Sequence, residues 1–372
     1  MKWYSSSSAV ASIAIVCLVV ARLLLSPRSD MVGIPETHRE SDWDETISIE
    51  IKMAKNKTVF CCGFDDQCRL WTGLLDDFQY GGRLTDPKRQ SQVGDVLLMI
   101  GLDGPCDVSQ DDIHDHFEGK VLFVNTESRK GGSAEKQRLS TRFYKIGPGE
   151  QEWGKEEERT LSVYFGAIFW YTTTLPQQRT MFLQKERPLS DRRLDAVAFI
   201  ASNCLPIRRQ AASQLSAIVP VHHGKCGFLA RNHTLHRIPQ LTGRSSYIQN
   251  YKIYSQYRYC LVMENTQTSG YITEKIILAY LGGCIPIYWG TKEVFDVFHK
   301  ESFIFYDIDN PDEALRELSL LQSNKTLLER KLQAPILANG HQTIEKYFSF
   351  SKDLGNGQLR KQIRQMMGIL EN

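Results

Sequence analysis

From Leu194 onward, short apolar runs alternate with longer mixed stretches. Asp195-Ala196-Val197-Ala198-Phe199-Ile200-Ala201-Ser202-Asn203 predicts a strand ending at Asn203, and Tyr259 to Met263 predicts a buried one. Cys284 to Gly290 predicts another, and Phe303 to Asp309 a further strand. Between these runs, Pro206 to Ala217 predicts a helix with proline suited to its first turn, and Tyr247 to Gln256 predicts a second. Ile276 to Leu281 continues a third helix, which Gly282-Gly283 stops. Pro311 to Leu321 supplies a fourth. Strands alternating with helices of this length predict a doubly wound, mostly parallel sheet.

The first half is patterned less clearly. Thr58 to Cys62, Val96 to Ile100 and Val121 to Val124 predict strands, with glycine, proline and charge between them. A further apolar stretch runs from Leu161 to Thr174. Residues 56–187 are therefore expected to form an α/β domain and residues 188–372 a second one, joined near the charged, proline-containing stretch Lys185 to Arg193. The helices of the first domain carry weak signals. Asp111, Asp112, His114 and His116 alternate with other residues in a way that reads as an exposed loop.

The N-terminus changes the picture of where the chain works. Ser5 to Leu25 is long and apolar enough to span a bilayer, which takes about 20 residues. Arg22 can snorkel at one end, and no small-x-small cleavage site follows the apolar core. Residues 1–27 are expected to be a short cytoplasmic tail and an uncleaved signal-anchor, and the polar, acidic residues 28–55 a stem. Three Asn-x-Ser/Thr sequons, at Asn56, Asn232 and Asn324, fit a lumenal domain. Eight cysteines beyond Cys17 permit disulfides but leave the pairing open. Cys260 and Cys284 fall inside predicted strands and read as buried thiols. With no Cys-x-x-Cys, a zinc site is not expected.

Composition adds little. The 372 residues are 42% hydrophobic and 24% charged, ordinary values for globular domains. A net charge of +2 is too small to make nucleic acid the partner.

The turn from Glu264 to Lys275 carries the chemistry. It leaves the carboxyl end of a parallel strand, where such sheets bind ligands, and enters a helix N-terminus, which favours anions. Lys275 is badly placed for that dipole unless a diphosphate sits there. Glu274 suits the dipole, yet a phosphate would repel it unless it faced hydroxyl groups. A ligand with phosphate at one end and sugar at the other satisfies both. Taken alone, Thr273-Glu274-Lys275 reads more plainly as a first-turn acid followed by a solvated lysine.

The surrounding residues tip the balance. Glu264-Asn265, then Tyr271-Ile272-Thr273-Glu274-Lys275, then a helix and Pro286-Ile287-Tyr288-Trp289-Gly290 closely resemble the signature of the α-1,3-fucosyltransferases, glycosyltransferase family 10. The upstream stretch Phe199 to Leu215 resembles the family's Ser-Asn…Arg segment, with Arg208 as its arginine. The resemblance covers most of residues 196–310. It implies a GT-B fold, with two Rossmann-like domains facing across a cleft and GDP-fucose held by the C-terminal one. It implies that Arg208 and Lys275 contact the diphosphate, that Glu274 lies under the fucose, and that Asn265 and Tyr271 contact nucleotide and phosphate. Family members place a general base after a strand of the first domain, commonly in a Gly-Glu pair. Glu127 is the candidate here, with Thr126 in place of the glycine.

The implied reaction is inverting transfer of fucose from GDP-β-L-fucose to a hydroxyl, O3 of N-acetylglucosamine, in a glycan or glycoprotein. GDP would leave without an acid if cations and N–H dipoles met its charge, and Glu127 would take the acceptor proton. The expected setting is the Golgi membrane, single-pass type II, with the catalytic domain lumenal. No obligatory cofactor is expected, manganese being at most stimulatory. Three rivals remain: a metal-dependent transferase using Asp307 and Asp309, which otherwise read as a strand-to-helix turn with Asn310 as the cap; a glycosidase using Glu127 and Glu274; and a lectin-like protein that binds donor without turnover.

Overall fold

The computed structural model describes residues 57–62, 68, 73–100, 108–124, 142–147, 160–162, 193–224, 226, 236–238, 246–352 and 354–369. The expected membrane span Ser5–Leu25, the stem, Glu127, Asn56 and Asn232 lie outside them. No helix among the described residues is long and apolar enough to cross a membrane.

The first half builds β1 (Thr58–Cys62), β2 (Gln79–Arg83), α1 (Pro87–Gln90), β3 (Val96–Ile100), α2 (Gln110–His116), β4 (Lys120–Val124), β5 (Phe143–Gly147) and β6 (Thr160–Ser162). Its strands form one sheet in the order β2-β1-β3-β4-β5-β6, parallel throughout. That is a flavodoxin-like winding, reversing between β1 and β3. The segment expected as an exposed loop, Asp111 to His116, is instead the helix α2. Ser109 caps it by accepting from the Asp112 N–H at 3.1 Å. Ile113 and Phe117, one turn apart, are buried beneath it. The polar residues between them had hidden this spacing.

The second half builds β7 (Leu194–Phe199), α3 (Pro206–Leu215), β8 (Val221–His223), β9 (His236–Arg237), α4 (Asn250–Tyr254), β10 (Tyr257–Met263), α5 (Glu274–Gly282) and β11 (Ile285–Trp289). It continues with α6 (Val294–Val297), β12 (Ile304–Phe305), α7 (Asp312–Ser323), α8 (Lys325–Gln333), α9 (His341–Tyr347) and α10 (Gln358–Met366). The sheet order is β12-β11-β10-β7-β8-β9, all parallel. Read from the other edge this is the dinucleotide-binding winding, with its reversal between β7 and β10. The stretch expected as one helix over Tyr247–Gln256 divides into a 3-10 turn, Ser246–Gln249, and α4. The strand expected over Phe303–Asp309 is only Ile304–Phe305.

Gly283 closes α5 in the left-handed region, φ 72°, and Gly282 packs so closely that a Cβ there would meet Tyr254 Cβ at 2.5 Å. The glycine pair therefore stops the helix and lets α4 lie against it. Disulfides join Cys61 to Cys68 and Cys204 to Cys226. A third joins Cys260 to Cys284, so the reading of these two as buried thiols is corrected. Cys260 lies on β10 and Cys284 immediately precedes the neighbouring β11. This brings their Cα atoms to 6.1 Å, within disulfide reach.

The two sheets share one hydrophobic cluster, in which Val59 and Leu98 join Val262 and Ile276, with Leu359 and Ile363 of α10. α10 carries two buried arginines toward the turn before β2. Arg364 donates to both carboxylate oxygens of Asp77, at 2.6 and 2.7 Å, and Arg360 to Asp76 at 2.6 Å. Just beyond α10, the Met367 and Gly368 carbonyls accept from Lys120 of β4. The chain's end is thus tied back to the first sheet.

Burial pushes the Asp77 carboxyl up, but the Arg364 hydrogen bonds and charge prevail and hold it below the ordinary value. Its contribution to stability is therefore present above about pH 4 and lost as pH falls through the depressed native value. Asp77→Asn should cost about 3 kcal/mol at neutral pH, the low end for breaking a buried pair, since Asp77 itself is partly exposed. The difference from wild type should shrink below about pH 4, as read by denaturant unfolding at both pH values.

Candidate active site

The crevice between β7 and β10 is where this winding gathers ligands, and two loops meet there. One runs from β7 to α3; the other, Glu264 to Thr273, runs from β10 to α5. Arg208, in the first turn of α3, bridges them. Its Nη1 donates to Asn203 O at 2.8 Å, and its Nη2 lies within 2.9 Å of Met263 O, Glu264 O and Asn265 Oδ1. The guanidinium is buried, and only its Nε lacks a partner. Asn265 passes the contact on, donating from Nδ2 to the Tyr271 hydroxyl at 3.3 Å.

Glu264 is the centre of the second loop. Its side chain is 0% exposed, so its charge must be met by protein. Oε1 accepts from the Thr273 N–H at 2.8 Å. Oε2 accepts from the Thr273 hydroxyl at 2.7 Å and from Lys275 Nζ at 3.0 Å. Lys275 also donates to Thr273 Oγ1 at 2.8 Å, closing a ring of three side chains. Thr273, at the N-cap, spends its hydroxyl on Glu264 and makes no side-chain cap. The first N–H groups of α5 thus lack the usual hydroxyl acceptor.

Lys275 keeps a quarter of its side chain exposed, with Glu274 Oε1 at 3.8 Å. Burial, the largest single influence, pulls its pKa down, but Glu264 and Glu274 outweigh it and leave the ammonium above the usual lysine value. Tyr288 sits behind this group, its hydroxyl so close to Gly290 that a Cβ there would meet it at 2.3 Å. Burial, and then Glu264, raises its pKa far enough to keep it a neutral phenol. From the other side Glu293 grips the loop, accepting from the Ser269 hydroxyl at 2.5 Å and from the Gly270 N–H. Gly270 takes the turn at φ 70°.

Five residues singled out from sequence (Arg208, Asn265, Tyr271, Glu274 and Lys275) therefore converge on one end of one sheet. Glu127 lies outside the described residues. Arg208 turns its amino groups to the Asn203, Met263 and Glu264 carbonyls and the Asn265 amide oxygen, because burial forces them to find acceptors at once. Asp307 and Asp309 form a turn, the Asp309 N–H donating to Asp307 Oδ1 at 3.1 Å. The cap expected at Asn310 falls on Pro311 instead. Glu264 and Glu293 were not assigned roles from sequence. An acid directly after the apolar run Leu261-Val262-Met263 was the available signal for Glu264; Glu293 left none.

The family model described as "Glycosyltransferase family 10 (fucosyltransferase) C-term" matches residues 190–333, which contain this whole arrangement. This part of the chain is similar to the C-terminal region of the family-10 fucosyltransferases. Among curated proteins, the chain is 37% identical over 130 residues to the alpha-(1,3)-fucosyltransferase FucT of Helicobacter pylori, covering 34% of this chain and 25% of that one. It is 32% identical over 92 residues to the GDP-fucose protein O-fucosyltransferase 3 of Gallus gallus, covering 23% of this chain and 19% of that one. The matches thus span a quarter or less of these relatives' own length. A crystal structure of an α1,3-fucosyltransferase superposes with a TM-score of 0.54 at 20% identity, covering 84% of this chain and 90% of that one. That likeness is one of fold alone, and it takes in both halves of the chain.

The ring around Glu264 makes a direct test possible. Glu264→Gln keeps the shape but leaves the Lys275 ammonium without its buried counter-charge, and should cost about 3 kcal/mol of stability. A raised lysine pKa contributes stability below the unfolded value and loses it only as pH climbs through the native one. The deficit should therefore be constant between about pH 6 and pH 9, measured by thermal or urea unfolding.

Proposed function

We propose that this chain is a fucosyltransferase that moves L-fucose from GDP-β-L-fucose to a hydroxyl of an N-acetylglucosamine-containing glycan, in α-1,3 linkage with inversion. The observation that carries the reading is Lys275, a partly exposed cation held by Glu264 in the first turn of α5, beside Glu274. A nucleoside diphosphate fits there. The ammonium and the N–H groups of α5 meet the diphosphate charge as GDP departs. Glu274 then faces the sugar, where a carboxylate stabilises an oxocarbenium-like ring. Arg208 positions Asn265 and the end of β10. Glu127 of the first domain is assigned the acceptor proton. GDP-fucose is read as a substrate, and no metal is assigned a role.

The relatives differ in acceptor by name, one being an alpha-(1,3)-fucosyltransferase and the other a protein O-fucosyltransferase. The deciding assay offers the purified chain GDP-fucose with N-acetylglucosamine-terminated glycans in one arm and folded protein domains in the other. Transfer only to protein would replace the α-1,3 reading. Hydrolysis and transfer both absent, with GDP still bound, would leave a donor-binding protein.

The proposed setting is the Golgi lumen, with residues 1–27 as tail and signal-anchor, 28–55 as stem, 56–187 as acceptor-side domain and 188–372 as donor domain. Disulfides in both halves support an oxidising compartment.

Two outcomes follow for the variants and for metal. Lys275→Met should raise KM for GDP-fucose by about 10- to 100-fold, the worth of one charge-assisted contact. Glu127→Gln should instead lower kcat by about 10²- to 10⁴-fold and leave GDP affinity unchanged; steady-state kinetics with calorimetry separates them. Transfer should also persist in excess chelator, with manganese raising the rate at most modestly. Abolition by chelator, restored by metal, would return the reaction to Asp307 and Asp309.

A further inference from the structure

Asn324 stands at the joint between α7 and α8, where it ends one helix and begins the next. Its N–H donates to Leu320 O at 2.9 Å, closing α7. Its side-chain Oδ1 accepts from the Leu327 N–H at 3.1 Å, capping α8. Among the described residues this cap occupies only the oxygen of the amide; no bond is made by Nδ2. Asn324, Lys325 and Thr326 are all exposed, and together they spell an Asn-x-Thr sequon.

Two neighbours add an independent observation. Leu320 is 50% exposed and Leu327 is 37% exposed, two of the large apolar side chains the protein leaves to solvent. They are the residues whose backbone groups bond to Asn324, so apolar surface flanks the amide on both helices. The apolar face of a pyranose seated on Nδ2 would cover such surface.

We propose that Asn324 is an N-glycosylation site, its glycan lying over the joint between α7 and α8; the proposal rests on the lumenal setting given above. The donor required is an oligosaccharide carried on a polyprenyl diphosphate. Nδ2 forms a bond to the anomeric carbon and gives up one proton, while the bond from that carbon to the diphosphate breaks and its electron pair leaves with the phosphate. The carbonyl oxygen takes no part, so the modified residue still caps α8. The helix joint tolerates the sugar because the donor it consumes is the one the fold does not use.

The test is a mass measurement on the full chain expressed in a eukaryotic secretory host. Peptide-N-glycanase treatment in heavy-oxygen water should convert Asn324 to labelled aspartate. Thr326→Ala, which keeps the asparagine cap, and Asn324→Asp, which keeps a capping oxygen, should each remove one glycan's shift in mobility without changing the melting temperature by more than about 2 °C. An unmodified Asn324 peptide, in protein whose Cys204–Cys226 pair is found oxidised in the same digest, overturns the proposal. The readout needs no fucose transfer, so a silent enzyme with a glycan at Asn324 would sink the proposed activity and leave this site standing.

Discussion

A carboxylate with no solvent contact has to be answered by the protein, and Glu264 organises the second domain around that demand. Its acceptors are filled by the backbone and hydroxyl of Thr273 and by Lys275. Those two residues begin α5, so the end of β10 and the start of the next helix are fixed relative to each other through one side chain. The loop between them then has its two ends set. Glu293 grips its middle at Ser269 and Gly270. A buried pair of this kind adds little net stability over an apolar substitute. What it gives is geometry: it holds a lysine in the first turn of a helix, where the dipole alone would disfavour it.

The strand order sets where that geometry is used. At the reversal between β7 and β10 the two loops diverge to opposite faces of the sheet and leave a crevice. Arg208 closes the floor of it by donating across to Met263 and Glu264 carbonyls. The sheet thus has a cation on each side of β10's last residues. Arg208 is committed to the backbone; Lys275 retains an exposed fraction. The difference in exposure, rather than in charge, separates the group that builds the site from the group that can serve a ligand.

Much of this was legible in the sequence, and the limits have physical causes. The strands of the second domain were visible because parallel strands covered on both faces read as unbroken apolar runs. The helix α5 was visible for the same reason, bounded by the Gly282-Gly283 stop. The residues Asn265, Tyr271, Glu274 and Lys275 stood out because polar groups have no reason to crowd a short turn. α2 was missed because a surface helix shows only its buried stripe, here Ile113 and Phe117. The Cys260–Cys284 disulfide was missed because its partners lie apart in sequence and become neighbours only through the β10–β11 register. Glu293 was missed because it reaches back to the loop across an intervening strand, a relation no local pattern records.

A net charge near zero conceals how the charges are distributed. Arg208, Arg360, Arg364, Lys331 and Glu264 are all buried, and each ties one element to another. Arg360 and Arg364 tie α10 to the turn before β2; Lys331 ties α8 to Glu317 of α7; Arg208 and Glu264 join the loops of the crevice. Apolar packing alone would tolerate sliding at these joints, since it is non-directional. A desolvated ion pair does not, because displacement of either partner leaves a charge unpaired in a low dielectric. The protein therefore spends its buried charges on aligning one element against another, and a crevice lined by loops from two strands depends on that alignment.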